Sequence, residues 1–281
     1  MANQTGPPLS SYDFLAPRKI VFGWGRRQEI GALARPLGKR AFLVFGSRTL
    51  QHQGVGDEIT RHLKAAGIEP VPVANLNREP EVADVDQTTT DLLALGAGEG
   101  DFLIAIGGGS AIDLAKASSA MSTNQESASV VDFLEGVGRG LALTRPPLPL
   151  LAMPTTAGTG TEATKNAVIS SFDPPFKRSL RSDLMVPAVV LVDPELTVSL
   201  PPTTTAYTGM DAITQLIESY LSRRAKPIPQ ALCLQGLELA AGALAEAVED
   251  GRSRTARERM SHAALLSGLA LANSGLGLAH G

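Results

Sequence analysis

The residues best suited to chemistry in the first half of the chain are the glycines and serine of residues 107–110, GGGS. They follow an apolar run at 102–106, typical of a buried strand, and precede apolar residues at helical spacing. Ser110 and Asp113 fit a capping box, which predicts a helix N-terminus. Glycines let the backbone approach a ligand closely, and a helix N-terminus favours an anion, most often a phosphate. Because neither GxGxxG nor GKS or GKT is present, a plain strand-to-helix turn stays the alternative.

A second polar loop, PTTAGTGTEAT at residues 154–164, directly follows an apolar run at 148–153. Its hydroxyls and backbone amides can hydrogen-bond a phosphate or a ribose. The alternative interpretation is an ordinary connection rich in turns.

A third group of polar residues lies in a later helical stretch. Asp211 and Gln215 are four residues apart and therefore share one helix face. Spacing alone equally favours an acidic residue near a helix N-terminus, where the dipole stabilises it. His280, near the end of the chain, is by itself interpreted as a surface histidine. We also expect a cluster of arginines to face solvent: Arg252, Arg254, Arg257 and Arg259.

The composition is that of an ordinary globular protein. Of 281 residues, 43% are hydrophobic and 19% charged, and the net charge of −3 argues against a nucleic-acid partner. The single cysteine, Cys233, excludes a disulfide within the chain. No secretory leader and no apolar run of about 18 residues is present, so we expect a cytoplasmic protein without a membrane partner.

The elements that position these residues change in character along the chain. Strand and helix patterns alternate over the first part, which predicts an α/β fold with a largely parallel sheet. After residue 203 every periodic segment is helical, namely 203–222, 228–248 and 254–272. We place the boundary near residues 198–202, which divides the chain into an α/β domain at 1–200 and a helical part at 201–281.

Four motifs, followed by ALANSGLGLAHG at the end of the chain, resemble the iron-containing (group III) alcohol dehydrogenases. The motifs are GGGSAIDLAKA, PTTAGTGTEATKNAVI, VDPELTVSLPP and TGMDAITQLIE. The resemblance begins at about residue 12 and runs to the last residue. It implies a Rossmann-like nucleotide-binding domain, followed by the start of an all-helical domain in a dehydroquinate synthase-like fold, with the active site in the cleft between them.

The resemblance also implies roles for individual residues. Lys165 would reach towards the ribose and the nicotinamide and belong to the catalytic set, together with Asp211 and His280. Asp211 would be the metal carboxylate, and His280 would match the histidine of the family's G-L-x-x-H-G motif. The chemistry would be hydride transfer between an alcohol carbon and nicotinamide, with a divalent metal such as Fe²⁺ or Zn²⁺ polarising the oxygen. The residues that would hold the cofactor are Gly107, Gly108, Gly109, Ser110, Asp113, Thr155, Thr156, Thr159, Lys165 and Ser47.

The sequence departs from the family at its metal site. Members carry a histidine four residues after the metal aspartate, and this chain carries Gln215 there. An amide oxygen is a weaker ligand than imidazole, so Gln215 is a doubtful ligand and a tightly bound metal is not expected. Family members continue beyond His280 to a further histidine, so the chain resembles a truncated member. We therefore expect apolar side chains of the last helix to be exposed and to promote aggregation or oligomerisation: Leu265, Leu266, Leu269 and Leu271.

The sequence also departs from the family after its first strong strand. Many NAD-preferring members carry an aspartate there, which would repel a 2′-phosphate, whereas this chain has Ser47 between Gly46 and Arg48. This favours NADP(H) as the cofactor.

Three functions follow from the resemblance and its departures. The first is an NAD(P)-dependent oxidoreductase that acts on a small alcohol, aldehyde or ketone and assembles as a homo-oligomer. The second is a nucleotide-binding fragment without turnover. The third is a metal-independent reductase resembling the maleylacetate reductases, which Gln215 would permit.

Overall fold

The structure is a computed structural model that describes residues 11–46 and 52–280. Six of its strands form one sheet in the order β1-β8-β5-β4-β2-β3, and all neighbours are parallel. Every residue of the central β4 is buried, as expected for a continuous apolar strand covered on both faces. The eight described strands are β1 (Lys19–Phe22), β2 (Arg40–Phe45), β3 (Glu69–Asn75), β4 (Asp101–Gly107), β5 (Leu150–Pro154), β6 (Asn166–Phe172), β7 (Pro175–Arg181) and β8 (Val189–Val192).

Helices cover the two faces of the sheet and form two separate apolar clusters with it. On one face, α1 (Ile30–Ala34) and α2 (Val55–Ala65) pack against Phe102 and Ile104. On the other, α3 (Val82–Ala94) and α4 (Gly109–Thr123) pack against side chains such as Leu103 and Ala105. Successive side chains of β4 thus lie on opposite faces of the sheet, as the geometry of a strand requires.

β6 and β7 lie outside the main sheet. They pair with each other as an antiparallel hairpin. The sequence predicts a largely parallel sheet, and this hairpin is an antiparallel addition to it. Buried and partly buried side chains largely alternate along β6, because only one side of the hairpin packs onto α4 and the apolar cluster around it.

From residue 202 onwards the described elements are helical. They are α5 (Pro202–Leu221), α6 (Pro227–Ala240), α7 (Ala243–Glu249), α8 (Arg254–Ser274) and a short 3₁₀ helix (Leu278–His280). The single helix expected at 228–248 is in fact two. The break follows from Gly242, whose φ of 76° lies in a region that glycine adopts without strain.

The last helix is largely buried. Leu265, Leu266 and Leu269 are only 4, 4 and 7% exposed, so the expectation that they face water is wrong for these three. They belong to an apolar cluster shared with α5 and α6, while Leu271 is partly exposed. The exposed apolar side chains of the helical part lie elsewhere: Tyr207, Met210, Ile217, Leu221, Ile228, Leu234 and Leu278.

Arg257 does not face solvent with its neighbours. It is 2% exposed, donating from Nη1 to Thr205 Oγ1 and from Nε to the carbonyl of Gly251, both over 2.9 Å. Arg254, by contrast, lies over the ring of Trp24.

No single helix of the described residues has both the length and the apolar character needed to cross a membrane. Only α6 and α7 taken together, across a 42° bend, meet that requirement by length and composition.

Candidate functional site

The glycine run predicted to bind a phosphate, residues 107–110, lies where β4 ends and α4 begins, and we call it the cradle. The helix starts at Gly109, and Gly108 is its N-cap without a side-chain cap. The capping box predicted for Ser110 and Asp113 is therefore wrong, because Asp113 bonds to a different segment. The first amides of this 15-residue helix have no acceptor within the helix, and the dipole is positive there.

The cradle lies between two neighbouring strands, β2 and β4, whose following helices lie on opposite faces of the sheet. From β2 the chain continues to α2 on one face of the sheet, and from β4 it continues to α4 on the other. The two backbones approach closely there, since a Cβ on Gly107 would lie 2.7 Å from Cα of Gly46. In open parallel sheets, ligands bind in the crevice at such a switch point.

The two loops that the sequence singled out lie against each other. A Cβ on Gly108 would lie 3.2 Å from Cγ2 of Thr156, and one on Gly109 would lie 2.9 Å from Cγ2 of Thr159. The amide of Thr155 donates to the carbonyl of Gly107 over 3.0 Å. The structure therefore joins the glycine run and the threonine loop into one polar surface.

Asp113 is buried and held by the end of the threonine loop and the start of β6. Oδ1 accepts from Thr161 Oγ1 at 2.6 Å, and Oδ2 accepts from the amide of Val168 at 3.1 Å. Burial raises the pKa of Asp113, although the charge of Lys116 and these two hydrogen bonds oppose the rise. Its predicted contact with a cofactor stays a prediction.

Lys165 lies at the cleft with its Nζ 2.8 Å from Oδ1 of Asp183. Its side chain is 29% exposed, so a ligand could reach it. Ser47, the remaining cofactor candidate, lies outside the described residues.

A polar cluster on α5 faces the same cleft. His280 Nε2 lies 2.9 Å from Asp211 Oδ1, and His280 Nδ1 contacts Glu218 Oε2. Partial burial alone would lower the pKa of His280, but the hydrogen bonds with the two carboxylates outweigh it and raise the pKa. Gln215 donates from Nε2 to Asp211 Oδ2 over 3.2 Å, and its Oε1 accepts from Ser267 Oγ at 3.0 Å. The structure thus brings Asp211, Gln215 and His280 together.

Sequence reasoning missed Glu218 and Lys116. Glu218 follows Asp211 by seven residues, so it shares the helix face of Asp211 and Gln215, and that spacing could have indicated it. Lys116 is a single cation among apolar residues of α4, three residues after Asp113, and this position could have indicated a buried ion.

Gly109 and Ser110 of the cradle line one cleft of about 1370 Å³ together with the α5 cluster, whereas Gly107, Gly108, Thr155 and Thr156 do not line it. It lies between the α/β part and the helical part, where enzymes commonly bind small molecules. The site candidates that line it are Gly109, Ser110, Asp113, Thr159, Lys165, Asp211, Gln215 and His280.

The residues present fit a dinucleotide. Glycines whose Cβ atoms would meet the neighbouring loop leave room for the backbone to approach a phosphate, and the start of α4 supplies unpaired amides and a positive dipole.

The residues present do not fit a tightly held divalent metal. Both ring nitrogens of His280 and both carboxylate oxygens of Asp211 already have protein partners, and the amide oxygen of Gln215 accepts from Ser267. Within residues 11–46 and 52–280, no three His, Cys, Asp or Glu side chains are arranged to hold a metal ion.

Comparison with known proteins supports the resemblance. The family model for iron-containing alcohol dehydrogenases matches residues 17–194, and the model for the C-terminal part of the same family matches residues 205–281. The solved structure of a 1,3-propanediol oxidoreductase superposes with a TM-score of 0.87 at 31% identity, over 95% of this chain and 68% of that one.

Two curated relatives show how cofactor use varies among similar proteins. The NAD-dependent methanol dehydrogenase of Bacillus methanolicus is 33% identical over 95% of this chain and 68% of its own length. The NADPH-dependent butanol dehydrogenase of Clostridium saccharobutylicum is 34% identical over 95% of this chain and 66% of its own length. The chain therefore spans about two thirds of the length of these relatives.

Proposed function

Because this chain belongs to the family of iron-containing alcohol dehydrogenases, we propose that it is an NAD(P)-dependent oxidoreductase that interconverts a small alcohol and an aldehyde or ketone. One observation carries the proposal: Gly109 and Ser110 at the start of α4 line the same cleft as Asp211 and His280. A bound dinucleotide and a small substrate would then share one site.

The chain's own residues bind and orient the reactants. The start of α4 binds the pyrophosphate, and the hydroxyl of Thr159 can hydrogen-bond the nucleotide. Lys165 Nζ, which lines the cleft, can donate to a ribose or substrate oxygen. The nicotinamide supplies the hydride chemistry when it is bound.

A second candidate, a metal-independent reductase resembling the maleylacetate reductases, is supported by the hydrogen bonds of Gln215. The Gln215 side chain hydrogen-bonds both Asp211 and Ser267 of α8, so these polar groups are satisfied by one another and need no metal ion. Reductase activity that survives strong chelation would favour this candidate. Activity that chelation abolishes and Fe²⁺ or Zn²⁺ restores would contradict it.

NADP(H) as the preferred cofactor, a homo-oligomeric state and a cytoplasmic location belong to the same proposal. The sequence around Ser47 supports the first, and family resemblance supports the second. Light scattering of the purified chain would test the oligomeric state.

The experiment that tests the proposal is a titration of NADPH and NADH into the purified chain, followed by nicotinamide fluorescence, together with an aldehyde reduction assay. Gly108→Ala should weaken binding, because its Cβ would lie 3.2 Å from Cγ2 of Thr156 and displace the threonine loop from the cradle. Gly98→Ala is the matched control, since a Cβ there meets nothing within 4 Å.

Each outcome of the titration has a meaning. Binding with turnover supports the oxidoreductase. Binding without turnover of any aldehyde supports a nucleotide-binding fragment. Binding of neither cofactor overturns the proposal.

A further inference from the structure

Helix α4 carries a buried cation that the proposed reaction does not use. Lys116 is 1% exposed, although nearly all of its neighbours on the helix are apolar or small. Burying an ammonium group is costly unless hydrogen bonds satisfy it. Its position therefore requires acceptors from another part of the chain.

Those acceptors come from one short segment, residues 161–166. Lys116 Nζ donates to the carbonyl oxygens of Thr161, Thr164 and Asn166, the last two over 2.8 and 3.1 Å, and to Thr164 Oγ1 over 2.9 Å. Three backbone carbonyls within six residues thus point at one ammonium group. Residues 161–166 therefore surround the ammonium group of Lys116.

Asp113, one turn earlier on α4, binds the same stretch of chain. It accepts from Thr161 Oγ1 at 2.6 Å and from the amide of Val168 at 3.1 Å. Side chains three residues apart lie on one helix face, so Asp113 and Lys116 together attach residues 161–168 to α4.

The attached segment carries groups proposed to meet the cofactor. Thr159, which lies against Gly109 of the cradle, precedes it by two residues, and Lys165 lies within it. On the opposite side, a Cβ on Gly160 would lie 2.5 Å from the amide nitrogen of Gly268 in α8. Small shifts of the segment would therefore move both Thr159 and Lys165 relative to the cradle.

We propose that Lys116 is a positioning residue for the nucleotide site, which fixes residues 161–168 and thereby places Thr159 and Lys165 at the cradle without touching the cofactor. The inference about binding rests on the proposed function, whereas the ordering of the segment does not. The two parts can be tested separately.

The charged groups around Lys116 allow a second test of the inference, by pH. Burial lowers the pKa of Lys116 to about 8, and the charges of Asp113 and Glu162 partly oppose this. Glu162, in the 3₁₀ helix Thr161–Ala163, is itself buried, with its pKa raised to about 7 by desolvation. Lys177 of β7 acts on Asp113 from the hairpin side. Above about pH 8 a neutral amine keeps two N–H donors instead of three, so the segment should loosen.

The experiment compares Lys116→Met, Lys116→Arg and the wild type. Ser119→Ala is the control, since Ser119 lies on the same helix but donates to Leu148 outside the segment. Hydrogen exchange without cofactor should become faster at residues 161–168 in Lys116→Met and stay unchanged in Ser119→Ala. The Kd for NADPH should rise about tenfold or more in Lys116→Met and be partly restored in Lys116→Arg, because the segment no longer holds Thr159 and Lys165 in place.

A pH series separates positioning from general stability. The wild type should bind NADPH more weakly as the pH rises from about 7.5 to about 9.5, while Lys116→Arg, which does not lose its proton, should change less.

A folded Lys116→Met with unchanged exchange and unchanged Kd overturns the inference. If Lys116→Met does not fold, the wild type decides: protection from exchange at 161–168, measured relative to the intrinsic exchange rate at each pH, that stays constant over this pH range overturns the inference. If the wild type binds no cofactor, the proposed function fails, and hydrogen exchange still decides whether Lys116 orders the segment.

Discussion

Gln215 donates a hydrogen bond from Nε2 to Oδ2 of Asp211 over 3.2 Å, one turn away on α5. The other carboxylate oxygen of Asp211 faces His280 Nε2 at 2.9 Å. A metal ion at this position would have to displace both donors and could take only a neutral amide oxygen from Gln215. The hydrogen bond between Gln215 and Asp211 therefore disfavours a tightly bound metal ion.

We expect Gln215→His to raise the affinity for Zn²⁺ about tenfold or more, because imidazole is the better ligand for this ion. Isothermal titration of Zn²⁺ into the wild type and the variant measures the difference. Thr214→His is the matched control, since it adds a histidine at the preceding position, on another face of the helix. A wild type that binds Zn²⁺ as tightly as Gln215→His would contradict the prediction.

The cofactor preference should depend on residue 47. Ser47→Asp should weaken NADPH relative to NADH by about tenfold or more, because a carboxylate repels a 2′-phosphate and binds a ribose hydroxyl. Ser47→Asn is the control with nearly the same size and no charge. Dissociation constants for both cofactors measure the effect. A wild type that already prefers NADH to the same degree would show that Ser47 does not set the preference.

The parts of the fold and site that the sequence predicts are those set by local pattern. The apolar run at 102–106, the glycines that end it and the helix behind it are neighbours in sequence, so β4, the cradle and the start of α4 were predictable. Asp211 and Gln215 were predictable as a pair for the same reason, since helical spacing alone places them on one face.

The parts that could not be predicted depend on partners distant in sequence. The spacing of Ser110 and Asp113 suits a cap, but Asp113 bonds to residues 161–168, which lie about fifty positions away. Arg257 is buried, and Nη1 donates to Thr205 Oγ1, 52 positions earlier, a contact that no local pattern indicates. Such contacts are properties of the folded chain.

The burial of the last helix leads to a prediction about stability. Leu265→Ala should lower the free energy of unfolding by about 2–5 kcal/mol, because it leaves a cavity in the cluster shared by α5, α6 and α8. Leu278→Ala, at a side chain that is 97% exposed, should change it by less than about 0.5 kcal/mol. Urea unfolding measures both. Equal, small effects would mean that α8 is not packed as described.

Glu162 is a buried acid whose pKa is raised. It is 3% exposed in the 3₁₀ helix Thr161–Ala163, near the end of the threonine loop, and desolvation raises its pKa from 4.5 to about 7. The folded chain therefore holds a proton on Glu162 over a pH range in which the unfolded chain has released it. Protonation of this side chain then favours the folded state.

It follows that the stability contributed by protonated Glu162 is fully present below about pH 4.5 and is lost as the pH rises through about 7. The loss amounts to at most about 3–4 kcal/mol, since the pKa rises from 4.5 to about 7 and each pKa unit corresponds to about 1.4 kcal/mol. In Glu162→Gln, which cannot ionise, the free energy of unfolding should decline less over this range than in the wild type. Urea unfolding at intervals between these two pH values measures the slopes, with Glu99→Gln as an exposed control. Parallel slopes for the wild type and Glu162→Gln would contradict the buried, protonated state of Glu162.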